Sequence, residues 1–353
     1  MRLDEKTVKK VEQILLSKKN VYRAVMHVES GDGHLKWSTA IKDMKVESKF
    51  FIASVTKLYI TAVIIQLIDQ KKIQLNDPIS KYVSNDIIEG LHVLRGVDSS
   101  NVITIKHLLS NTSGLPDYFF HKLEDKKTFA SKILNNEDVF LSFEETIGYV
   151  KKLKPNFYPG EKRKAAYSDT NYQLLGEIIE VVTNKTIHEV FDETIFKPLN
   201  LHNTTTYQDP TDTSPVLFYY KDKELHVPNY MKTITPEGGI VSTAEEVMIF
   251  IKAFFKGKFF NVNEIEKLKD WRIIFPPPSL FYFGIGLEKL FIPRFVSPFK
   301  PIKEVLGFWG QTGSFAFYHP QTDLHFTGTT NQIDGSGHAA VIKAMLVIIK
   351  ANL

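Results

Sequence analysis

FIASVTKLYITAVIIQLI, residues 51–68, is among the most apolar runs of the chain and carries a single charge, Lys57. Its length and continuous hydrophobicity predict a core helix that stops near Lys71-Lys72. Ser54 falls just after Phe51-Ile52-Ala53, where the pattern turns helical, and Lys57 follows three residues later. Positions i and i+3 of a helix share a face, about one turn apart. A serine at a helix start sits among free N–H groups and partial positive charge, which favour a developing oxyanion. Its hydroxyl needs a base to become a nucleophile, and a lysine can serve when burial disfavours the ammonium form. Val55, Leu58, Ile60, Ala62, Val63 and Ile64 supply that apolar setting. The bland alternative is a lysine that snorkels from a core helix to solvent. A second Ser-x-x-Lys, Ser297-Pro298-Phe299-Lys300, lies in a proline-rich stretch that cannot be a helix interior.

Working outward, residues 1–20 read as an amphipathic helix, and VYRAVMHVES (21–30) and HLKWSTAIKD (34–43) as two strands around Gly31-Asp32-Gly33. Residues 76–200 are mostly helical in pattern, punctuated at Asn76-Asp77-Pro78, Ser113-Gly114-Leu115-Pro116 and Tyr158-Pro159-Gly160. Residues 201–235, rich in Thr, Asp, Pro and Tyr, read as an irregular loop bordering a cleft. Gly238-Gly239 leads into IVST (240–243) and a helix over 244–255, with Ser242 or Thr243 as its cap. FYFGIGLEKL (281–290), GFWGQTGSFAFYHP (307–320) and LHFTGTTNQ (324–332) are strand-like, and a helix over 338–353 closes the chain. Strands near both ends around a helical middle predict an α/β (α+β) architecture. An antiparallel β-sheet flanked by helices would use residues 1–75 and 236–353, with a mostly helical insert over 76–235 and the site in the crevice between them.

At 353 residues the chain suits one large domain or two ordinary ones. A net charge of +4 with interspersed signs gives no reason to expect nucleic acid, and the basic stretch 151–164 is broken by Pro and Gly into a solvated loop. The absence of cysteine excludes disulfides, thiolate metal sites and a cysteine nucleophile. The N-terminal stretch has no 7–15-residue apolar core of a secretory signal, and no apolar run reaches spanning length. A cytoplasmic protein with no membrane partner is therefore expected. Eleven histidines form no His-x-His or His-Glu-x-x-His; His319 and His325 are the nearest pair, and no metal site is expected. Neither a Gly-x-Ser-x-Gly elbow nor a phosphate loop is present. The aromatic clusters at 118–120, 218–220, 281–283 and 308–309 read as core and sheet packing, with those in irregular segments able to line an apolar cleft.

Five stretches, in order, carry a likeness: SVTK (54–57), ITIKHLLSNTSGLPDY (103–118), YSDTNYQLLGEIIEVVT (167–183), EGGIVSTAEEV (237–247) and GQTGSFAFYHP (310–320). Together the chain, over roughly residues 20–345, resembles the serine β-lactamase and penicillin-binding-protein superfamily, specifically its class C β-lactamase-like branch of esterases and D-amino-acid peptidases. The resemblance implies that Ser54 attacks an acyl carbon to form an acyl-enzyme, and that Lys57 accepts the proton or keeps Tyr167 deprotonated. Tyr167 would shuttle the proton to the leaving group. The backbone N–H groups of Ser54 and Ser314, the latter following Gln311-Thr312-Gly313, would form the oxyanion hole. No cofactor is implied, and the partner is a small acyl substrate.

Two positions depart from the branch. Asp169 stands where Asn is usual; an ionised carboxylate donates no hydrogen bond and pairs readily with Lys57. Gln311 replaces a Lys or His that would attract the carboxylate of a β-lactam or of a terminal D-alanine. Both favour esters, or amides lacking that carboxylate, over β-lactamase, D-amino-acid peptidase or penicillin-binding activity. A catalytically weak ligand-binding relative is the reading from another class. Tyr118 and Asn331 are further cleft candidates, the latter equally readable as a strand-end cap.

Overall fold

Residues 24–41 fold as the anticipated hairpin, β1 (Ala24–Ser30) and β2 (Lys36–Ile41), in a computed structural model that describes residues 3–17, 21–122, 127–275, 281–335 and 337–353. Six more strands come from the last third of the chain: β3 (Arg272–Ile273), β4 (Phe281–Phe283), β5 (Glu288–Leu290), β6 (Val305–Trp309), β7 (Ser314–His319) and β8 (Leu324–Thr329). All join one eight-stranded sheet in the order β3-β4-β5-β6-β7-β8-β1-β2, with every neighbouring pair antiparallel. The splice between the two ends of the chain is the β1–β8 ladder, registered Val25↔Thr329 and His27↔Thr327. The expected antiparallel sheet flanked by helices is borne out.

The five longest helices are α1 (Glu5–Leu16), α2 (Thr56–Asp69), α3 (Thr170–Thr183), α4 (Ala244–Phe255) and α5 (His338–Asn352). Strand periodicity sorts the sheet's side chains between two cores. Met26, Val28, Phe315, Phe317 and Phe326 pack against α1 and α5. Val25, Leu306, Phe308 and Ala316 face the larger core, which contains α2, α3 and α4. Because α2 is apolar all round, it is buried all round, from Thr56 to Ile65 without a break. Thr243 is the cap of α4, its hydroxyl accepting from Glu246 N at 3.2 Å.

FYFGIGLEKL does not run on as one strand. It breaks into β4 and β5 around Gly284–Leu287, where Gly284 N donates to Leu287 O at 2.7 Å. Gly286 has φ +64°, and a Cβ there would lie 2.1 Å from Thr61 Oγ1 on α2. Only glycine permits both the conformation and the approach.

In the middle of the chain, short helices start on Thr or Ser caps at Thr104, Thr128, Ser142 and Thr186, each closing a capping box. The stretch 201–235, expected to be irregular, contains small elements. Thr205–Thr206 joins a three-stranded sheet with Ile240–Ser242 and Phe50–Phe51, and Phe218–Tyr220 pairs with Lys223–Leu225. Strands of two or three residues leave no periodicity to read; their partners define them. No helix among the described residues is long and apolar enough to cross a membrane.

Candidate active site

The strand Phe50–Phe51 delivers the chain to Ser54 through a tight turn. Ile52 N donates to Ile240 O at 2.9 Å, and Ala53 takes φ +45°, a left-handed conformation costly for a residue with a Cβ. Ser54 then lies in a 3-10 turn, Ala53–Val55, that runs directly into α2. The β6–β7 turn is laced to the same backbone. Thr312 Oγ1 donates to Phe51 O at 2.9 Å, and Ser314 Oγ to Ile52 O at 2.5 Å. Gly310 allows this closeness, since a Cβ there would lie 2.6 Å from Ile52 O. The amides of Ser54 and Ser314 thus belong to two segments bonded to each other, and Gln311 sits half-buried at the turn.

Three elements bring the predicted side chains together. Lys57 Nζ is 3.0 Å from Ser54 Oγ, and Tyr167 OH is 2.9 Å from the same oxygen. Lys57, with no exposed surface, meets three oxygens: its Nζ donates to Ser54 Oγ and to Glu237 O at 2.8 Å, and forms an ion pair with Asp169 Oδ1 at 2.8 Å. The rings of Tyr167 and Tyr172 lie 5.3 and 5.0 Å from Nζ, within cation–π range. Asp169, at the start of α3, is therefore the counter-ion of Lys57.

Other carboxyls crowd the same interior. Tyr118 OH donates to Glu237 Oε1, and burial together with repulsion from Asp169 pushes the Glu237 carboxyl well above its usual range. Asp117 accepts from the backbone N–H groups of Phe119, Phe120 and Asp169, yet burial and the Asp169 charge raise it to about 7. Burial, reinforced by the Asp169 charge, also pushes the Tyr167 phenol up, well above its usual value. The shift favours the neutral phenol.

Glu288, on β5, accepts from Trp309 N at 2.9 Å, and burial raises it to about 8. A carboxyl raised on folding binds a proton that the unfolded chain has released. The stability it contributes is whole below the unfolded value near 4.5 and is lost as pH rises through about 8. Glu288→Gln keeps an acceptor for Trp309 N and removes the titration. Thermal unfolding should show it near neutral at pH 5 and stabilising by roughly 1–3 kcal/mol at pH 9. Equal effects at both pH values would contradict this assignment.

Beside Tyr167 opens a cleft of about 720 Å³, lined by Asp117, Phe120, Asn156, Ala166, Ile274 and Phe275 among others. Phe120 and Phe275 are about half exposed there, and the Phe275 ring lies 6.4 Å from that of Tyr167. Two candidates sit elsewhere. Tyr118 is fully buried, with its hydroxyl on Glu237. Asn331 is buried at φ +50° with its amide on Leu217 O at 2.5 Å, closing the strand end. Among the described residues no group of three or more His, Asp or Glu side chains is placed to hold a metal ion. Reading the sequence missed Glu237, because its contact with Lys57 is made by a backbone carbonyl. Glu288 and Phe275 lie outside the motifs that carried the resemblance, and nothing in their local sequence marks them.

The family to which the sequence belongs makes the chain a serine hydrolase. More particularly, the chain belongs to the family described as Beta-lactamase, whose model matches residues 18–343. It is 24% identical over 317 residues to the N-acetylmuramyl-L-alanine amidase of Bacillus subtilis (strain 168), covering 82% of this chain and 69% of that one. Its fold is similar to that of a D-stereospecific amidohydrolase from Streptomyces sp., with TM-score 0.80, 22% identity, and 97% and 98% of the two chains covered. EstCE1, a hydrolase with promiscuous acyltransferase activity, superimposes with TM-score 0.79 at 20% identity, covering 97% of each chain.

Proposed function

We propose that the protein hydrolyses a carboxylic ester or small amide through an acyl-enzyme on Ser54. The observation that carries this reading is the meeting of Lys57 Nζ and Tyr167 OH on one oxygen, at 3.0 and 2.9 Å. In the first half-reaction Ser54 Oγ bonds to the acyl carbon while its proton leaves toward Lys57, which must first have given up one of its own. The oxyanion is met by the amides of Ser54 and Ser314. The leaving group departs with the phenolic proton of Tyr167, which Lys57 replaces. Water then repeats the sequence on the acyl-enzyme and releases the acid. The neutral state of Tyr167 supports its part as acid rather than as a standing phenolate.

Substrate preference follows from the surroundings. Gln311 offers no cation to a substrate carboxylate, and Phe120, Ile274 and Phe275 offer an apolar wall to an acyl or aryl group. The cytoplasmic setting read from the sequence belongs to the same proposal. The similarity to a D-stereospecific amidohydrolase and an amidase favours a second reading, cleavage of a D-amino-acid amide.

A fluorophosphonate probe should label one site, and peptide mass spectrometry should place the adduct on Ser54. An adduct on any other residue would defeat the assignment. A panel of p-nitrophenyl esters, D-alanyl anilides and nitrocefin on the same preparation ranks the substrate classes. A persistent β-lactam adduct without turnover of any of them would indicate a binder instead.

A further inference from the structure

The second Ser-x-x-Lys, which the site does not use, has a different job. Ser297 is buried, and its hydroxyl donates to Lys300 O at 2.5 Å while its N–H donates to Arg294 O at 3.1 Å. The hydroxyl thus closes a turn. That turn displays phenylalanines: Phe295 is 81% exposed and Phe299 96%, more than any other large apolar side chain described. Nor is the turn a loose end. Lys350 Nζ of α5 donates to Val296 O at 2.5 Å, tying the turn to the back of the sheet.

Next to it, a groove of about 570 Å³ runs between α1 and α5, with Val296 in its wall. Its charged lining is Lys6, Lys10, Lys343 and Lys350 against a single acid, Asp4, which is already engaged as the cap of α1. Arg294 and Lys300, both exposed, flank the two phenylalanines. The face therefore pairs protruding rings with a rim of cations.

We propose that this face docks on an anionic lipid bilayer, with Phe295 and Phe299 entering at headgroup level and the cations against acidic headgroups. Two isolated rings projecting into water would need shaped pockets in a protein partner, whereas a bilayer takes them without shape. The sign of the rim selects acidic lipid. Docking differs from spanning, so the absence of a long apolar segment, which suggested no membrane partner, does not bear on it. The sheet lies between this face and Ser54, which leaves the cleft open when the face is engaged.

The test is cosedimentation of the full chain with vesicles of phosphatidylcholine alone, or of phosphatidylcholine mixed with phosphatidylglycerol. Partitioning should be at least about tenfold stronger on the mixed vesicles and should weaken with added salt. Phe295→Ser/Phe299→Ser and, separately, Lys6→Glu/Lys343→Glu should each reduce it about tenfold while ester hydrolysis in solution is unchanged. Three results would overturn the proposal: no binding to the mixed vesicles, equal binding to both kinds, or undiminished binding of the phenylalanine variant. Light scattering that shows self-association lost in that variant, with vesicles left unbound, would give the face to a second copy of the chain instead.

Discussion

Ser54→Ala is expected to lower kcat/KM for a p-nitrophenyl ester by roughly 10⁴-fold or more, the scale of losing the nucleophile of a serine hydrolase. The same substitution should leave thermal unfolding within about 0.5 kcal/mol of wild type. The hydroxyl is half-buried at the mouth of the site, so water can replace it as partner to Lys57 and Tyr167. The strained conformation of Ala53 precedes it and is kept by its neighbours: Ile52 bonded to Ile240, and Gly310 and Ser314 packed on the same turn. Loss of rate without loss of fold is the signature. A variant within tenfold of wild type, from the same preparation, would place the chemistry elsewhere.

Lys57→Ala should produce a different pair of effects. The rate should fall by roughly 10²–10⁴-fold, the usual contribution of positioned acid–base groups. Stability should fall as well, because the ion pair with Asp169 is 1% exposed on one side and 13% on the other. Removing one member of a buried pair leaves an uncompensated charge, at about 3–5 kcal/mol when fully buried. The partial exposure of Asp169 brings the expectation to roughly 2–4 kcal/mol. Adding Asp169→Asn removes the stranded carboxylate and relieves its repulsion of Glu237 and Asp117. The double variant should therefore regain about 1–3 kcal/mol over Lys57→Ala while staying inactive. Chemical denaturation of the wild type, both single variants and the double completes the cycle. Strictly additive losses would mean that the 2.8 Å contact carries no coupling and that Asp169 is not what holds Lys57.

Much of this site was legible in the chain itself, because its parts are local. Ser54 and Lys57 are one helical turn apart, so their pairing needed only their neighbours; Tyr167 and Asp169 entered through the family resemblance of the stretch 167–183, since a tyrosine standing alone reads as packing. The sheet was legible from its longer strands: β1 and β2 flank the Gly31-Asp32-Gly33 turn, β7 and β8 are six-residue runs, and Thr243 announces α4 by its own chemistry. What escaped reading is what distant segments settle between them. The break between β4 and β5 answers to Thr61, more than two hundred residues earlier, which needs Gly286 bare. The strand Thr205–Thr206 exists because Ile240–Ser242 and Phe50–Phe51 are there to pair. The third acceptor of Lys57 is the carbonyl of Glu237, and a carbonyl looks the same on every residue. Asn331 divided evenly between cleft and cap on sequence grounds; the carbonyl of Leu217, a distant segment, engages its amide in the cap.

Leu3 at the head of the described chain and Leu353 at its tail both pack into the layer formed by α1 and α5, behind the sheet. Whatever is attached to either terminus therefore emerges at the rear of the molecule. An affinity handle, a reporter domain or a resin tether placed at either end leaves the approach to Ser54 unobstructed, so a turnover assay on immobilised protein reports the enzyme and not its attachment.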